Sequence, residues 1–146
     1  MRELRLIECN GQKLAIYVPE SAWKPGLNFF SSDADFIQVG TWGYAKDTRL
    51  GPHIHNLAPR ESTRTQEVIY LKTGKVRAHL FEEAGSIVEH VDPVAGDMLI
   101  VLSGGHGYEV LEDGTIALEV KNGPYPGPEK DRRKIPWHDT TARTKS

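Results

Sequence analysis

No part of this chain can run far as a helix. Its 14 Gly and 9 Pro interrupt every window in which an apolar 3.6-residue period could develop, because Pro lacks a backbone donor and Gly loses the most entropy when ordered. Short alternating or continuous apolar runs remain between the interruptions. Leu4 and Leu6, then Leu14, Ile16 and Val18, flank Asn10-Gly11, a dipeptide that closes a type I′ hairpin, here read as an edge element. Pro19 to Asn28 reads as a loop, and Phe29 to Tyr44 as strand-like. Lys46 to Pro52 turns into a further strand, Val94 to Asp97 is a turn, and Met98 to Leu102 is an apolar strand suited to the interior. The expected class is all-β, closed as a single-domain jelly-roll barrel.

A chain of 146 residues can bury one sizeable core without disulfide or metal staples. Its division is expected to be an N-terminal hairpin and loop over 1–30, a barrel over 31–121 and a Pro/Gly-rich arm and tail over 122–146. With 18 basic and 20 acidic residues and a net charge of −2, it has no strong field toward nucleic acid or anionic membrane. Cys9 is the single cysteine, which fits a reducing cytoplasm, and it reads as a buried structural thiol. No apolar run approaches a membrane span, and Met-Arg-Glu-Leu-Arg lacks a signal peptide's apolar core. A cytoplasmic protein is expected.

Chemistry concentrates in the middle of the chain. His53 and His55 are two apart in Gly51-Pro-His-Ile-His, so in an extended strand both imidazoles leave one face, as two ligands of one metal must. Glu67 can supply a third donor and His106, in Gly105-His-Gly, a fourth. Three His and one Glu suit Fe, Mn, Ni, Zn or Co about equally, so the expected cofactor is one divalent ion of unspecified identity.

Parity sharpens the case for Glu67. If Thr73-Gly74 closes a hairpin, Leu71 pairs with Val76, Ile69 with Ala78 and Glu67 with Leu80. Everything sharing a face with the carboxylate is then apolar, and a buried carboxylate is costly unless something compensates it, as a cation would. The other face carries Val68, Tyr70, Arg77, His79 and Phe81. It reads as a sheet-packing or dimer surface and places His79 away from the metal. His90 and His138 lack partners at ligand spacing. By the same logic Asp113-Gly114 places Tyr108 opposite Glu119 and His106 opposite Lys121, so that if His106 points inward the other three do too. Glu119 and Tyr108 are then candidates for proton transfer, and Lys121 and Tyr108 for gripping an anionic or hydroxylated substrate. An ion pair that merely satisfies Glu119 and Lys121 is the alternative.

His53-x-His55, Glu67 followed after six residues by Gly74, and Gly96 ahead of His106 together resemble the cupin superfamily, small β-barrels with a central metal. The chain departs from that pattern in the eleven residues between His55 and Glu67, in Leu102 where Pro is usual and in Val110 where Asn is common. More narrowly, Thr65-Gln-Glu-Val-Ile-Tyr, Ser103-Gly-Gly-His-Gly-Tyr-Glu-Val-Leu-Glu-Asp and Glu119-Val-Lys-Asn-Gly-Pro-Tyr-Pro-Gly resemble small cupin-fold metalloproteins that accompany bacterial polysaccharide and nucleotide-sugar genes. The resemblance implies a metal-dependent protein with a small polar, sugar-derived ligand. An isomerase or epimerase is the first expectation, with an Fe(II) dioxygenase and a non-catalytic metal or sugar sensor as the others. A homodimer is expected through the face bearing Tyr70 and Phe81. The insertion 56–66 is either a lid or a solvated loop, and Tyr125, Arg132 and Arg133 either close the mouth, reach a neighbouring subunit or are simply solvated.

Overall fold

The computed structural model describes residues 2–136; His138 and the segment 140–146, expected to be solvated and frayed, lie outside them. The fold is all-β, in antiparallel sheets. The hairpin of β1 (Arg5–Cys9) and β2 (Gln12–Val18) turns on Asn10 and Gly11, both at positive φ (51° and 75°), as a type I′ turn demands. Next come a short sheet of β3 (Gly26–Phe29) and β4 (Gly40–Gly43), then β5 (Glu67–Thr73), β6 (Val76–Phe81), β7 (Ile87–Val91), β8 (Met98–Val101), β9 (Gly105–Val110) and β10 (Ile116–Lys121). A single helical turn, α1 (Pro128–Asp131), follows. Where a longer strand was expected over 29–44, pairing is confined to β3 and β4. Residues 44–66, expected to include the strand carrying His53 and His55, contain no strand.

Two sheets face each other. The larger has the order β1-β2-β8-β5-β10 and the smaller β7-β6-β9. Between them pack Ile7, Ala15, Tyr17, Leu99 and Val101 from one side and Ala78, Leu80 and Val91 from the other. This arrangement corrects both expected hairpins. Strands β5 and β6 do not pair with each other: β5 pairs with β8 and β10, β6 with β7 and β9. Likewise β9 and β10 lie in different sheets. Gly74 and the 111–115 connection carry the chain across the sandwich, so residues expected side by side instead meet face to face. Gly74 sits at φ 80°, where a Cβ would fall 2.1 Å from the Thr115 hydroxyl, so the crossing requires a residue without one. The division into faces survives, because alternation along each strand fixes it whatever the partner.

The outer face of the larger sheet is also covered. Ile16, Val18, Val68, Met98 and Ile100 lie beneath Ile37, Phe30 and Val39 of the 30–39 segment, with Tyr70 packed against them. Phe81 is buried as well. Tyr70 and Phe81, expected on one dimer face, thus lie on the outer faces of different sheets, Tyr70 against the 30–39 segment and Phe81 buried separately. Cys9 is half-buried, and among the described residues no helix is long and apolar enough to cross a membrane.

A buried polar node ties these layers together. Asp97, fully buried, accepts hydrogen bonds from the Tyr17 hydroxyl (2.7 Å) and from the backbone N–H groups of Glu20 (2.9 Å) and Val94 (3.1 Å), and pairs with Arg2. Burial first, then the Asp97 carboxylate, pushes the Tyr17 phenol up to about 12. Removing the charge leaves donors without their acceptor, so Asp97→Asn should cost on the order of 3 kcal/mol and Tyr17→Phe about 1–2 kcal/mol, both read from urea denaturation.

A second ion pair has a pH signature. Arg77 Nε and Nη2 donate to the two Asp92 oxygens at 2.8 Å each, and this guanidinium holds the Asp92 carboxyl below its ordinary 3.8. A depressed folded-state value means that the contribution is complete above about pH 4 and fades as pH falls below it. Asp92→Asn should therefore lower the melting temperature at pH 7, with the deficit shrinking progressively below pH 4; an equal deficit at pH 7 and pH 2.5 would exclude the pair as its source.

Candidate functional site

The site lies where one end of β5 meets the start of β9 across the sandwich. The register runs Ile7, Ala15, Val101, Glu67, Lys121 across the larger sheet, so Glu67 shares the inner face with core residues. It is only 6 % exposed. Opposite, His106 neighbours Leu80 and Tyr108 neighbours Ala78 on the inner face of the smaller sheet. The turn that delivers His106 needs small residues. Gly104 is at φ 70°, and a Cβ there would lie 2.3 Å from the Phe81 carbonyl oxygen.

His106 Nε2 is 2.8 Å from Glu67 Oε1, and the Tyr108 hydroxyl donates to the same oxygen at 3.2 Å. Burial works to raise the Glu67 carboxyl. The hydrogen bonds and charge supplied by His106, with help from Tyr108 and Lys121, outweigh it and hold the group below the usual carboxylate range. Tyr108 responds the other way: burial, then the Glu67 charge, pushes its phenol far above the ordinary value, so the hydroxyl is a donor that stays protonated.

Glu119 and Lys121 follow on β10, facing the same way as Glu67, with Lys121 Nζ 3.1 Å from a Glu119 oxygen and 5.6 Å from the centre of the Tyr125 ring. The Glu119 carboxylate raises the Lys121 amine above its ordinary value. This is the ion pair that the sequence offered as the alternative to catalysis. Tyr108 meets Glu67 and not Glu119, since β9 and β10 are not cross-strand neighbours.

All five side chains line an open cleft of about 1160 Å³. Its further wall is Arg64 and the C-terminal stretch, including Arg132, Arg133 and Ile135. Asn122 secures this wall. Its Oδ1 accepts from the Gln66 N–H at 2.7 Å, and its Nδ2 donates to Ser62 Oγ at 2.8 Å. Gln66 in turn accepts from the Ile37 N–H and donates to the Leu102 carbonyl. Sequence reasoning missed both amides. The polar residue next to Glu67 and the Asn that follows β10 ahead of Gly-Pro were the available signals.

Two expected ligands are elsewhere. His53 and His55 lie on the exposed 44–65 segment, with ring centres 5.0 Å apart and His53 Nδ1 3.1 Å from the Gly51 carbonyl oxygen, and they are not part of the cleft. Among the described residues no three His, Cys, Asp or Glu side chains are gathered as a metal would require. Of the four expected ligands only Glu67 and His106 stand together, and their 2.8 Å contact is that of a hydrogen-bonded pair. His79 lies on the outer face against His90, with ring centres 6.2 Å apart, where the sequence placed it.

No protein-family model, curated protein or solved structure matches the chain.

Replacing Tyr108 with Phe removes the donor to a buried carboxylate without changing the ring. Urea denaturation should show a loss of about 1–3 kcal/mol; an unchanged midpoint would mean that the hydroxyl does not support Glu67.

Proposed function

We propose that this chain is a cupin-type jelly-roll metalloprotein in which His53, His55, Glu67 and His106 hold one divalent ion, and that it isomerises or epimerises a small polar, sugar-derived substrate. The observation that carries the reading is Glu67: a carboxylate on the inner face of a sandwich, 6 % exposed, turned toward an imidazole from the opposite sheet. Proteins rarely bury such a charge without a compensating cation, and an imidazole–carboxylate pair is the donor chemistry that borderline divalent ions take. The jelly-roll assignment is supported by two facing antiparallel sheets with crossings between them, and the substrate class by a cleft whose polar groups suit hydroxyls and anions.

In this reading the bound ion supplies Lewis acidity toward a substrate carbonyl. Lys121, paired with the half-exposed Glu119, can transfer its charge to an anionic substrate group or developing oxyanion. That releases Glu119 to take a proton from the carbon beside the carbonyl and return it to the opposite face or to the neighbouring carbon, so that atoms and charge balance without an external oxidant. Tyr108, held protonated, positions Glu67; it is not the base. An Fe(II) dioxygenase would use the same ligands but consume O₂.

Protein purified without a nickel column should contain a stoichiometric divalent ion. Glu67→Gln and His106→Ala should each lose it and melt at lower temperature, while His79→Ala should keep it. Turnover of a responding sugar acid or nucleotide sugar, found by thermal shift, should proceed equally with and without air. Retained metal in the Glu67 or His106 variants would remove the proposed ligand set, and an absolute O₂ requirement would exclude isomerisation.

A further inference from the structure

Residues 130–135 are mostly cationic, with Lys130, Arg132, Arg133 and Lys134 in a stretch of six. A charge run so near the end of a chain is ordinarily a solvated tail. Three contacts set this one apart. The Asp131 carboxylate accepts from the Thr65 hydroxyl at 3.0 Å, Arg133 Nη2 donates to the Glu83 carbonyl, and Ile135 lies over two glycines. A Cβ on Gly105 would fall 2.2 Å from Ile135 Cδ1, and one on Gly85 would fall 3.4 Å from its Cγ2. The bare start of β9, next to His106, is thus the seat for the one apolar side chain of the stretch. Asp131 and Ile135 are half-buried, and Arg132, Arg133 and Lys134 between them are exposed. The segment is a strap held at both ends, with its cations along the cleft wall.

The charges on that wall do not balance. Of the carboxylates lining the cleft, Glu67 meets His106, Glu83 meets Arg64 at 3.4 Å and Glu119 meets Lys121 at 3.1 Å. Among the described residues no carboxylate lies within ion-pairing distance of Lys130, Arg132, Arg133 or Lys134. Four cations therefore stand against two acids outside an ion pair, Glu82 and Asp131, on a chain whose net charge is −2. Like charges held this close together repel, and a bound anion relieves that cost. One guanidinium is enough for a carboxylate. Several cations along a fixed stretch of chain suit a multiply charged group with oxygens on more than one side.

We infer that the strap is an anion subsite, taking a phosphate or diphosphate group of a small-molecule ligand whose remainder extends along the cleft toward Glu119 and Lys121. A cleft of about 1160 Å³ has room for both parts, since pockets of roughly 300–1,000 Å³ hold drug-sized ligands. The subsite rests on the function proposed above only in taking this cleft as the ligand site; no metal takes part in it.

Inorganic pyrophosphate is the probe, titrated calorimetrically into the full chain after EDTA treatment and at low ionic strength. Binding should saturate at one equivalent and weaken as NaCl is added. Lys130→Ala/Arg132→Ala/Lys134→Ala should weaken it roughly tenfold or more. Ile135→Ser, which keeps all four cations but unseats the strap, should also weaken it. Lys46→Ala/Arg49→Ala/Lys72→Ala removes the same charge from exposed positions off the cleft and should leave the affinity unchanged. No binding at millimolar pyrophosphate, strap variants that bind as tightly as wild type, or an equal loss in the off-cleft variant would each overturn the subsite. Acetate binding as tightly as pyrophosphate would overturn the choice of a multiply charged group. Stoichiometric metal in the purified protein, with no pyrophosphate binding once it is stripped, would overturn the subsite and leave the metal reading standing. Pyrophosphate binding that follows this pattern in a protein that holds no metal would support the subsite and refute the metal reading alone.

Discussion

A carboxylate facing the interior of a β-sandwich is the constraint around which this molecule is arranged. Glu67 belongs to the same row as Ile7, Ala15 and Val101, and an uncompensated charge in that row would cost several kcal/mol. Everything near it acts to reduce that penalty. The opposite sheet contributes an imidazole and a phenol, the glycines before His106 let the chain bend close enough to present it, and Lys121 stands beside it on the neighbouring strand. The hydrophobic clusters explain why the two sheets adhere; Glu67 explains why one end of the sandwich is built from side chains that adhesion alone would not select.

The Asp97 node is a useful contrast. It too is a buried carboxylate, yet its donors come from a tyrosine, an arginine and two backbone N–H groups. Asp97 holds the turn before β8 against β2 and the backbone at Glu20, an architectural task. Glu67 has fewer protein donors and an open cleft beside it. That difference in satisfaction, more than burial itself, distinguishes the group available for chemistry.

Much of this was legible in the sequence. Alternation placed Glu67 among apolar residues and set His79 on the opposite face, and Asn10-Gly11 gave its hairpin directly, because these are local properties of two or a few residues. Strand partners were not legible. Thr73-Gly74 and Asp113-Gly114 have hairpin chemistry, but the chain uses both to cross between sheets, a choice that depends on β8 arriving beside β5 from 30 residues away. The covering of Val68 and Tyr70 by Ile37 and Phe30 was hidden for the same reason: the 30–39 segment has no period of its own, and its place is fixed by tertiary contacts and by Gln66. The location of His53 and His55 was the largest surprise. A spacing of two specifies which way side chains point only if the backbone is paired, and among the described residues 44–61 form no strand pair.

One wall of the cleft comes from a stretch with no regular structure beyond a single helical turn. Residues 128–135 contribute cationic side chains and Ile135 to the rim, while the groups beside Glu67 sit on strands locked by the core. Under the proposed function, reactive chemistry and ligand choice would reside on parts of the chain with very different tolerance for change. Substitutions in the rim would change the charge and shape of the cleft at little risk to folding, whereas substitutions beside Glu67 would also disturb the core.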